Sequence, residues 1–331
     1  MNRRRIGDLE IRPIGLGCMS LSHAYGTPPS KDHSVALLNM AVDLGYDFLD
    51  TAALYGFGTN ESLIGEALRH RRQEFRLASK CGMTGINGTR VIDGRPETLR
   101  RTLEESLRRL QTDYIDLYYL HRWDKTVPIE ESVGALADAI QQGKIGAIGL
   151  SEVSAATLRR AASVHSIAAV QNEYSPWSRN VELGLLDTTK ELGTAMVAFS
   201  PVGRGFFAGR VQALETLEPT DLRRSMPRFS PDNLHQNVNV YRSFAELSER
   251  AGCTPSQLSL AWVLSRGGHV VAIPGTTSMT HLEENFAAQS LQVSDTILAS
   301  VESVVNRSSV LGERYAEATL SEVDTESWDG S

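Results

Sequence analysis

The chain has 331 residues, of which 41% are hydrophobic and 22% are charged. This is the composition of an ordinary globular protein, and it excludes a disordered, collagen-like or coiled-coil chain. The 33 basic and 40 acidic side chains give a formal net charge of −7, which provides no general attraction for nucleic acid or an anionic membrane. Three cysteines are too few for a disulfide framework and favour a reducing compartment.

The beginning of the chain is basic but does not have the pattern of a signal peptide. Arg3, Arg4 and Arg5 are followed by the acidic residues Asp8 and Glu10 instead of an apolar run. No stretch approaches the roughly 20 apolar residues that a membrane-spanning helix needs. We therefore expect a cytoplasmic protein that binds neither a membrane nor nucleic acid.

Short apolar runs alternate with longer amphipathic stretches along most of the chain. The short runs are almost wholly apolar, as expected of parallel strands that are buried on both faces. The predicted strands are 14–17, 46–49, 75–79, 115–120, 145–150, 168–171, 195–200 and 270–273. The predicted helices are 34–44, 61–69, 97–110, 129–142, 155–164, 181–192, 234–251, 255–265 and 281–288.

The ends of several predicted helices carry recognisable signals. Asn60 precedes 61–69 as a candidate N-cap. Pro96 stands at the first turn of 97–110, and Gly143 follows 129–142 as a candidate C-cap. These signals support the helical interpretation of the amphipathic stretches.

Eight successive strand–helix units imply parallel pairing through right-handed crossovers. The sequence therefore predicts an α/β fold, a (β/α)8 TIM barrel. An open doubly wound sheet is the alternative, but it usually has a G-x-G-x-x-G turn after the first strand. Here Gly15 and Gly17 lack the third glycine.

Three segments fall outside the repeating pattern. Residues 3–12 read as an N-terminal β-hairpin with a Gly7-Asp8 turn, which could cover the bottom of the barrel. Residues 206–233 are polar and proline-rich and predict a loop insertion, and 307–331 form a polar tail. We expect residues 1–331 to form one barrel domain with long substrate loops at its C-terminal face.

Four chemically distinct side chains stand at or just after predicted strand ends. Asp50, Lys80 and His121 follow the second, third and fourth strands, and Tyr55 follows Asp50 in its loop. Each alone has an ordinary explanation as a turn cap or a packing residue. Together they suit proton transfer, because a lysine ammonium lowers the pKa of a nearby phenol and an aspartate can hold that lysine. In this interpretation Tyr55 protonates a developing alkoxide and His121 orients the carbonyl.

The sequence resembles the aldo-keto reductase family over residues 3–320. The resemblance runs through 14–17, 46–52 with Tyr55-Gly56, 79–82, 116–122, 143–145 with 148–151, 171–174, 199–203, 273–277 and 284–285. It implies NAD(P)H-dependent carbonyl reduction on a (β/α)8 barrel. By position, Tyr55 resembles the general acid, Lys80 and Asp50 its tuning pair, and His121 the histidine that orients the substrate.

The resemblance also implies a set of cofactor-binding residues. Ser151 and Gln171 resemble residues that hold the nicotinamide carboxamide, and Phe199 occupies the position that stacks on the nicotinamide ring. The whole set is Gly17, Cys18, Met19, Asp50, Ser151, Glu152, Gln171, Phe199, Ser200, Pro201, Val202, Gly203, Arg204, Gly205, Pro274, Gly275, Thr276, Thr277, Ser278, His281, Glu284 and Asn285. Within it, 200–205 resembles the pyrophosphate loop, with Arg204 meeting a phosphate charge, and Glu284 and Asn285 resemble the pair that recognises adenine.

Two departures from the family pattern bear on the cofactor. Glu152 stands where many members have asparagine. The segment 275–285 contains no lysine or arginine to pair with the 2′-phosphate of NADPH, and Ser278 and His281 stand there instead. Histidine is only partly charged near neutral pH. NADPH is still the expected cofactor because the resemblance implies it, with NADH as the alternative that these departures favour, and no metal is expected.

The substrate pocket is expected to lie between the loops 19–25, 83–95, 174–177 and 206–226, with the tail near Tyr315 closing it. Tyr55 and His121 would hold the carbonyl, and Trp123 and Trp177 would form apolar walls. This predicts an aldehyde or ketone with apolar bulk as substrate and leaves its identity, the physiological direction and the oligomeric state open.

Two other functions remain as alternatives. Some relatives of this family are cofactor-sensing subunits of membrane channels with little turnover. A barrel aldolase would instead use Lys80 as a Schiff-base nucleophile.

Overall fold

The computed structural model describes residues 3–22, 24–86 and 89–328. Residues 23, 87, 88 and 329–331, which belong to the predicted loops 19–25 and 83–95 and to the tail, lie outside this description. The strands are β1 Arg4–Ile6, β2 Leu9–Ile11, β3 Leu16–Gly17, β4 Phe48–Asp50, β5 Arg76–Cys81, β6 Met83–Ile86, β7 Thr89–Ile92, β8 Leu117–Leu120, β9 Ile148–Ser151, β10 Ile167–Glu173, β11 Ala195–Phe199 and β12 Val270–Ile273. The helices are α1 Lys31–Leu44, α2 Thr59–Leu68, α3 Pro96–Leu110, α4 Ile129–Gln141, α5 Ala155–Ala162, α6 Leu185–Leu192, α7 Pro231–Arg250, α8 Pro255–Ser265, α9 Met279–Ala287, α10 Asp295–Val304 and α11 Glu317–Leu320.

Eight strands form one parallel sheet in the order β12, β11, β10, β9, β8, β5, β4, β3. The first and last strands meet through parallel bridges from Ile14 to Ala272 and from Gly17 to Gly275, which close the sheet. An added Cβ at Gly17 would lie 2.8 Å from the Ile273 carbonyl oxygen, so the close approach of β3 and β12 needs a glycine there. The predicted (β/α)8 barrel is confirmed, and the open-sheet alternative is wrong.

The N-terminal hairpin is present and covers one end of the barrel. Strands β1 and β2 pair antiparallel from Arg4 opposite Ile11 to Ile6 opposite Leu9. Ile6 and Ile11 are fully buried, and they pack in one cluster with inward-facing residues of the barrel strands. Burying two isoleucine side chains stabilises this closure by roughly 3–6 kcal/mol. The opposite end, where the strands have their carboxyl termini, is left for the connecting loops.

Asn60 illustrates how tertiary contacts override a local signal. It was expected to cap a helix, but α2 begins at Thr59 and Gly58 is its N-cap. Asn60 is fully buried, donates to the Cys18 carbonyl oxygen at 2.9 Å and accepts from the Thr51 hydroxyl at 2.6 Å. The prediction of an Asn60 cap is therefore wrong, because its side chain connects the loops that follow β3 and β4.

The loops contain more structure than the sequence indicated. A second hairpin, β6 with β7, lies within the segment predicted as the loop 83–95. The insertion is built from short 3₁₀ turns, the last of them Pro227–Phe229, and α7 begins at Pro231 inside the range predicted as loop. In the tail, Arg314 and Tyr315 are buried. No helix in the described part of the chain is long and apolar enough to cross a membrane.

Candidate active site

A cavity of about 630 Å³ lies at the carboxyl ends of the barrel strands. It runs from the loops after β4 and β8 to the start of α9. Most of the residues singled out from the sequence line it: Gly17, Met19, Asp50, Tyr55, His121, Ser151, Gln171, Phe199, Ser200, Pro201, Val202, Arg204, Gly205, Pro274, Gly275, Thr276, Thr277, Ser278, His281 and Asn285. Across the described residues, no group of three or more His, Cys, Asp or Glu side chains is arranged to hold a metal ion.

Lys80 lies at the centre of the polar cluster at the base of this cavity. Its ammonium donates to the Asp50 carboxylate at 2.5 Å, to the Thr51 carbonyl oxygen at 2.8 Å and to the Tyr55 phenol oxygen at 3.1 Å. Lys80 is fully buried and does not itself line the cavity. The second Asp50 oxygen accepts from the Gln171 amide at 2.7 Å. The ends of three strands therefore hold one buried ion pair beneath the phenol.

Burial and neighbouring charges shift the pKa values of Lys80 and Tyr55 in opposite directions. Burial disfavours the Lys80 ammonium, but the Asp50 carboxylate and Tyr55 outweigh it and raise the pKa of Lys80. Burial raises the pKa of Tyr55, and the charge of Lys80 offsets only part of that effect. The expected lowering by Lys80 is thus the smaller of the two contributions, and the phenol remains protonated at neutral pH.

His121 completes the group of four residues predicted at the strand ends. Its ring lies edge-on to the Tyr55 ring, with the ring centroids 5.8 Å apart and an angle of 84° between the planes. Burial, together with the charges of Lys80 and Arg122, holds the pKa of His121 well below its ordinary value. Its Nδ1 atom is buried without a hydrogen-bond partner. The imidazole is therefore neutral and has hydrogen-bonding capacity left for a ligand.

The other part of the cavity has the groups that a dinucleotide requires. Ser151 and Gln171 offer a hydroxyl and an amide, and Phe199 offers an aromatic ring. The loop after β11 has positive φ angles at Ser200, Gly203, Arg204 and Gly205, a type of backbone conformation that can direct amide groups toward an anion. Ser20, which also lines the cavity, has a buried hydroxyl without a partner. These residues fit the nicotinamide cofactor that the sequence implied.

The two tryptophans expected as substrate walls lie outside the cavity. Trp177 is buried beneath the insertion, where its ring stacks on Phe206 with centroids 4.2 Å apart. Trp123 donates from its indole nitrogen to the Val127 carbonyl oxygen at 2.9 Å, and Arg160 covers its ring. Trp177 is held by Phe206 of the insertion, and Trp123 by Val127 of its own loop and by Arg160, so neither forms the substrate wall expected from the sequence. Tyr25, Met83, Met226 and Tyr315 line the cavity instead.

Four residues of the expected cofactor set do not line the cavity either: Cys18, Glu152, Gly203 and Glu284. Cys18, the residue after β3, is fully buried in the hydrophobic core. An added Cβ at Gly203 would lie 2.9 Å from the Trp177 indole nitrogen, so this glycine serves the packing of the loop. The Glu284 carboxylate accepts a hydrogen bond from the hydroxyl of Thr254, the N-cap residue of α8.

Glu152 belongs to a buried charge network that docks the C-terminal tail. Its carboxylate pairs with Arg314 at 2.7 Å, and Glu173 pairs with Arg204 at 2.7 Å. Arg204 also donates to the Tyr315 hydroxyl at 2.8 Å. The charge of Arg204, which was expected to meet a phosphate, is therefore already balanced by Glu173. Glu152, whose role the sequence left open, thus contacts the tail and does not line the cavity.

Several residues that line the cavity were not identified from the sequence. Arg90 comes from β7, Arg122 follows His121, and Arg210 lies in the insertion. Arg210 donates to His281 Nε2 at 2.9 Å across a separation of 71 residues. No local pattern indicates this contact. The position of Arg122 beside His121 was the one signal available in the sequence.

A parallel eight-stranded barrel with a polar cluster in a cavity at the carboxyl ends of its strands is the architecture of a barrel enzyme. A family model described as the Aldo/keto reductase family matches residues 13–306. The chain belongs to the aldo/keto reductase family and is an NAD(P)H-dependent oxidoreductase.

Solved structures are similar to this chain over nearly its whole length. The glycerol dehydrogenase of Gluconobacter oxydans is 27% identical, with 92% of this chain and 95% of that chain covered and a TM-score of 0.83. An aldo-keto reductase of Bacillus halodurans, in its holo form, is 26% identical, with coverage of 94% and 98% and a TM-score of 0.76. An aldo-keto reductase of Klebsiella pneumoniae in complex with NADPH is 28% identical, with coverage of 92% and 96% and a TM-score of 0.71.

Proposed function

We propose that this protein reduces an aldehyde or ketone to an alcohol in a reversible reaction, with Tyr55 as the proton donor. The observation that carries the proposal is the buried Lys80 ammonium, which bridges the Asp50 carboxylate and the Tyr55 phenol at 2.5 and 3.1 Å. NADPH, when bound, would supply hydride to the carbonyl carbon.

The residues of the chain account for the proton. Tyr55 is protonated before the reaction, because burial raises its pKa, and it donates its proton to the substrate oxygen as negative charge develops there. Lys80 stabilises the phenolate that remains, and Asp50 keeps Lys80 charged and in place. Neutral His121, with its ring edge-on to Tyr55, helps to orient the carbonyl oxygen. The reverse reaction uses the same groups in the opposite order.

The alternative in which Lys80 forms a Schiff base is disfavoured by the same geometry. A Schiff-base nucleophile needs a neutral amine that substrate can reach. Lys80 is fully buried and its pKa is raised, so its ammonium persists at neutral pH.

NADPH is the cofactor that the far end of the cavity supports best. Ser278 is the N-cap of α9 and its hydroxyl accepts from the His281 backbone amide. Arg210 reaches this point from the insertion and hydrogen-bonds His281 at 2.9 Å. The cation that is missing from 275–285 is thus supplied by another part of the chain. We assign Arg210, His281 and Ser278 to the 2′-phosphate, and the NADPH complex of the Klebsiella pneumoniae relative supports this choice.

Replacement of Tyr55 by phenylalanine tests the proposed proton donor. Aldehyde turnover should fall by about 10²–10⁴-fold, whereas the NADPH dissociation constant from fluorescence quenching should change less than about threefold. Tyr25→Phe is the matched control, because Tyr25 lines the same cavity without contacting Lys80, and it should lose less than about tenfold. Near-normal turnover in Tyr55→Phe would remove Tyr55 from this role.

A further inference from the structure

The arginines that line the cavity differ in how their charges are balanced. Arg90 pairs with Glu322, Arg204 with Glu173 and Arg223 with Asp221, at 2.5, 2.7 and 2.6 Å. Arg122 lines the same cavity. In the described ranges 3–22, 24–86 and 89–328, no carboxylate lies within ion-pair distance of it.

Arg122 is held in place by neutral groups alone. It is 9% exposed, and its Nη1 atom donates to the His121 carbonyl oxygen at 2.7 Å and to the Ser151 hydroxyl at 3.4 Å. Its Nε atom is buried without a hydrogen-bond partner. A guanidinium remains charged at neutral pH, and burial of such a charge without a counter-charge is costly. An anion bound beside the Arg122 guanidinium would therefore stabilise its buried charge.

A second buried arginine shows why the position of Arg122 matters. Arg228 is also 9% exposed, but it lies over the Trp177 ring at 5.1 Å and donates to the Ser178 hydroxyl. Arg228 does not line the cavity, so no ligand there can reach it. Arg122, in contrast, is the residue next to His121 and shares the cavity with Tyr55.

We propose that Arg122 forms a carboxylate-binding subsite, and that the substrates are carbonyl compounds that carry an acid group close to the carbonyl. The planar guanidinium matches the two oxygens of a carboxylate. This inference rests on the proposed function, in which Tyr55 and His121 hold the carbonyl oxygen. Arg90 adds little to the subsite, because Glu322 already balances its charge.

Pairs of substrates that differ only in charge test the subsite. Phenylglyoxylate and pyruvate are each compared with their methyl esters, and we expect a KM for the acid about tenfold or more below that for the ester. In Arg122→Gln this acid-to-ester ratio should approach one. Because the ratio is measured within one variant, general damage to the site cancels. Arg90→Gln is the matched control and should keep most of the preference.

Calorimetric titration with benzoate provides a readout that does not depend on turnover. Wild-type protein saturated with NADP⁺ should bind benzoate at least about fivefold more tightly than Arg122→Gln, whereas benzamide should not distinguish the two proteins. Arg122-dependent benzoate binding without turnover of any carbonyl would support the subsite and overturn the proposed reductase activity. Turnover of the esters without acid preference, and with equal benzoate binding, would overturn the subsite and leave the reductase proposal standing.

Discussion

The phenol oxygen of Tyr55 lies 3.1 Å from the Lys80 ammonium, and the two residues belong to different βα units of the barrel. Lys80 reaches this position from within β5, whereas Tyr55 sits in the turn after β4. A proton donor must be protonated before the reaction and stabilised as an anion after it. Burial provides the first property and the buried cation provides the second.

Replacement of Lys80 by methionine should therefore remove most of the catalytic advantage. Without the ammonium, the phenolate has no counter-charge, and we expect carbonyl turnover to fall by about 10²–10⁴-fold in steady-state assays. The loss would also leave Asp50 buried and unpaired, so the double variant Lys80→Met with Asp50→Asn separates the catalytic effect from the cost in stability. Lys190→Met, at an exposed site on α6, is the control. Turnover above about a tenth of wild type in both Lys80 variants would contradict the proposal that Lys80 stabilises the Tyr55 phenolate.

The pH dependence of reduction follows from the directions of two pKa shifts. Tyr55 has a raised pKa, so its proton is available below the ordinary tyrosine value of about 10 and is lost only at more alkaline pH. His121 has a lowered pKa, so it adds no transition near the ordinary histidine value of about 6.5. The kcat for reduction should be constant between about pH 6.5 and pH 10. It should fall at higher pH, where Tyr55 loses its proton. A decline centred near pH 6.5 in the measured profile would show that His121 titrates during the reaction.

The barrel and its polar cluster could be predicted because their signals are local and periodic. Buried parallel strands produce short apolar runs, and Asp50, Lys80 and His121 each end or follow such a run. The strand limits were less accurate: β9 includes Ser151, and β5 extends through Lys80 to Cys81. Strand ends depend on pairing with neighbours, which a single run does not encode.

The features that escaped prediction depend on contacts between distant segments. Trp177 is a large aromatic residue of the kind that often lines a pocket, yet it packs against Phe206 and lies outside the cavity. The buried position of Glu152 is explained by its ion pair with Arg314, a residue of the C-terminal tail. Neither Phe206 nor Arg314 could be identified as a partner from the sequence, because both lie in segments without a periodic pattern.

Arg210 gives the cofactor proposal its sharpest test. Because Arg210 is the nearby cation that hydrogen-bonds His281, Arg210→Gln should raise the NADPH dissociation constant about tenfold in fluorescence titrations. NADH lacks the 2′-phosphate, and its dissociation constant should change less than about twofold. Arg242→Gln, on the exposed side of α7, controls for the loss of one positive charge. Equal weakening of both cofactors would remove Arg210 from 2′-phosphate recognition.

The Glu152–Arg314 pair makes a prediction about stability. Both side chains are at least 95% buried, with 1% and 5% exposed, and they join β9 to the tail across 2.7 Å. Arg314→Gln leaves Glu152 uncompensated, so the free energy of unfolding in guanidinium chloride should fall by about 3–5 kcal/mol. Adding Glu152→Gln removes the unpaired charge and should recover part of this loss. The exposed pair Arg159–Glu191 is the control, and Arg159→Gln should cost less than about 1 kcal/mol. If Arg314→Gln cost no more than Arg159→Gln, the tail would be held by its apolar contacts, and the buried ion pair would have no measurable part in docking it.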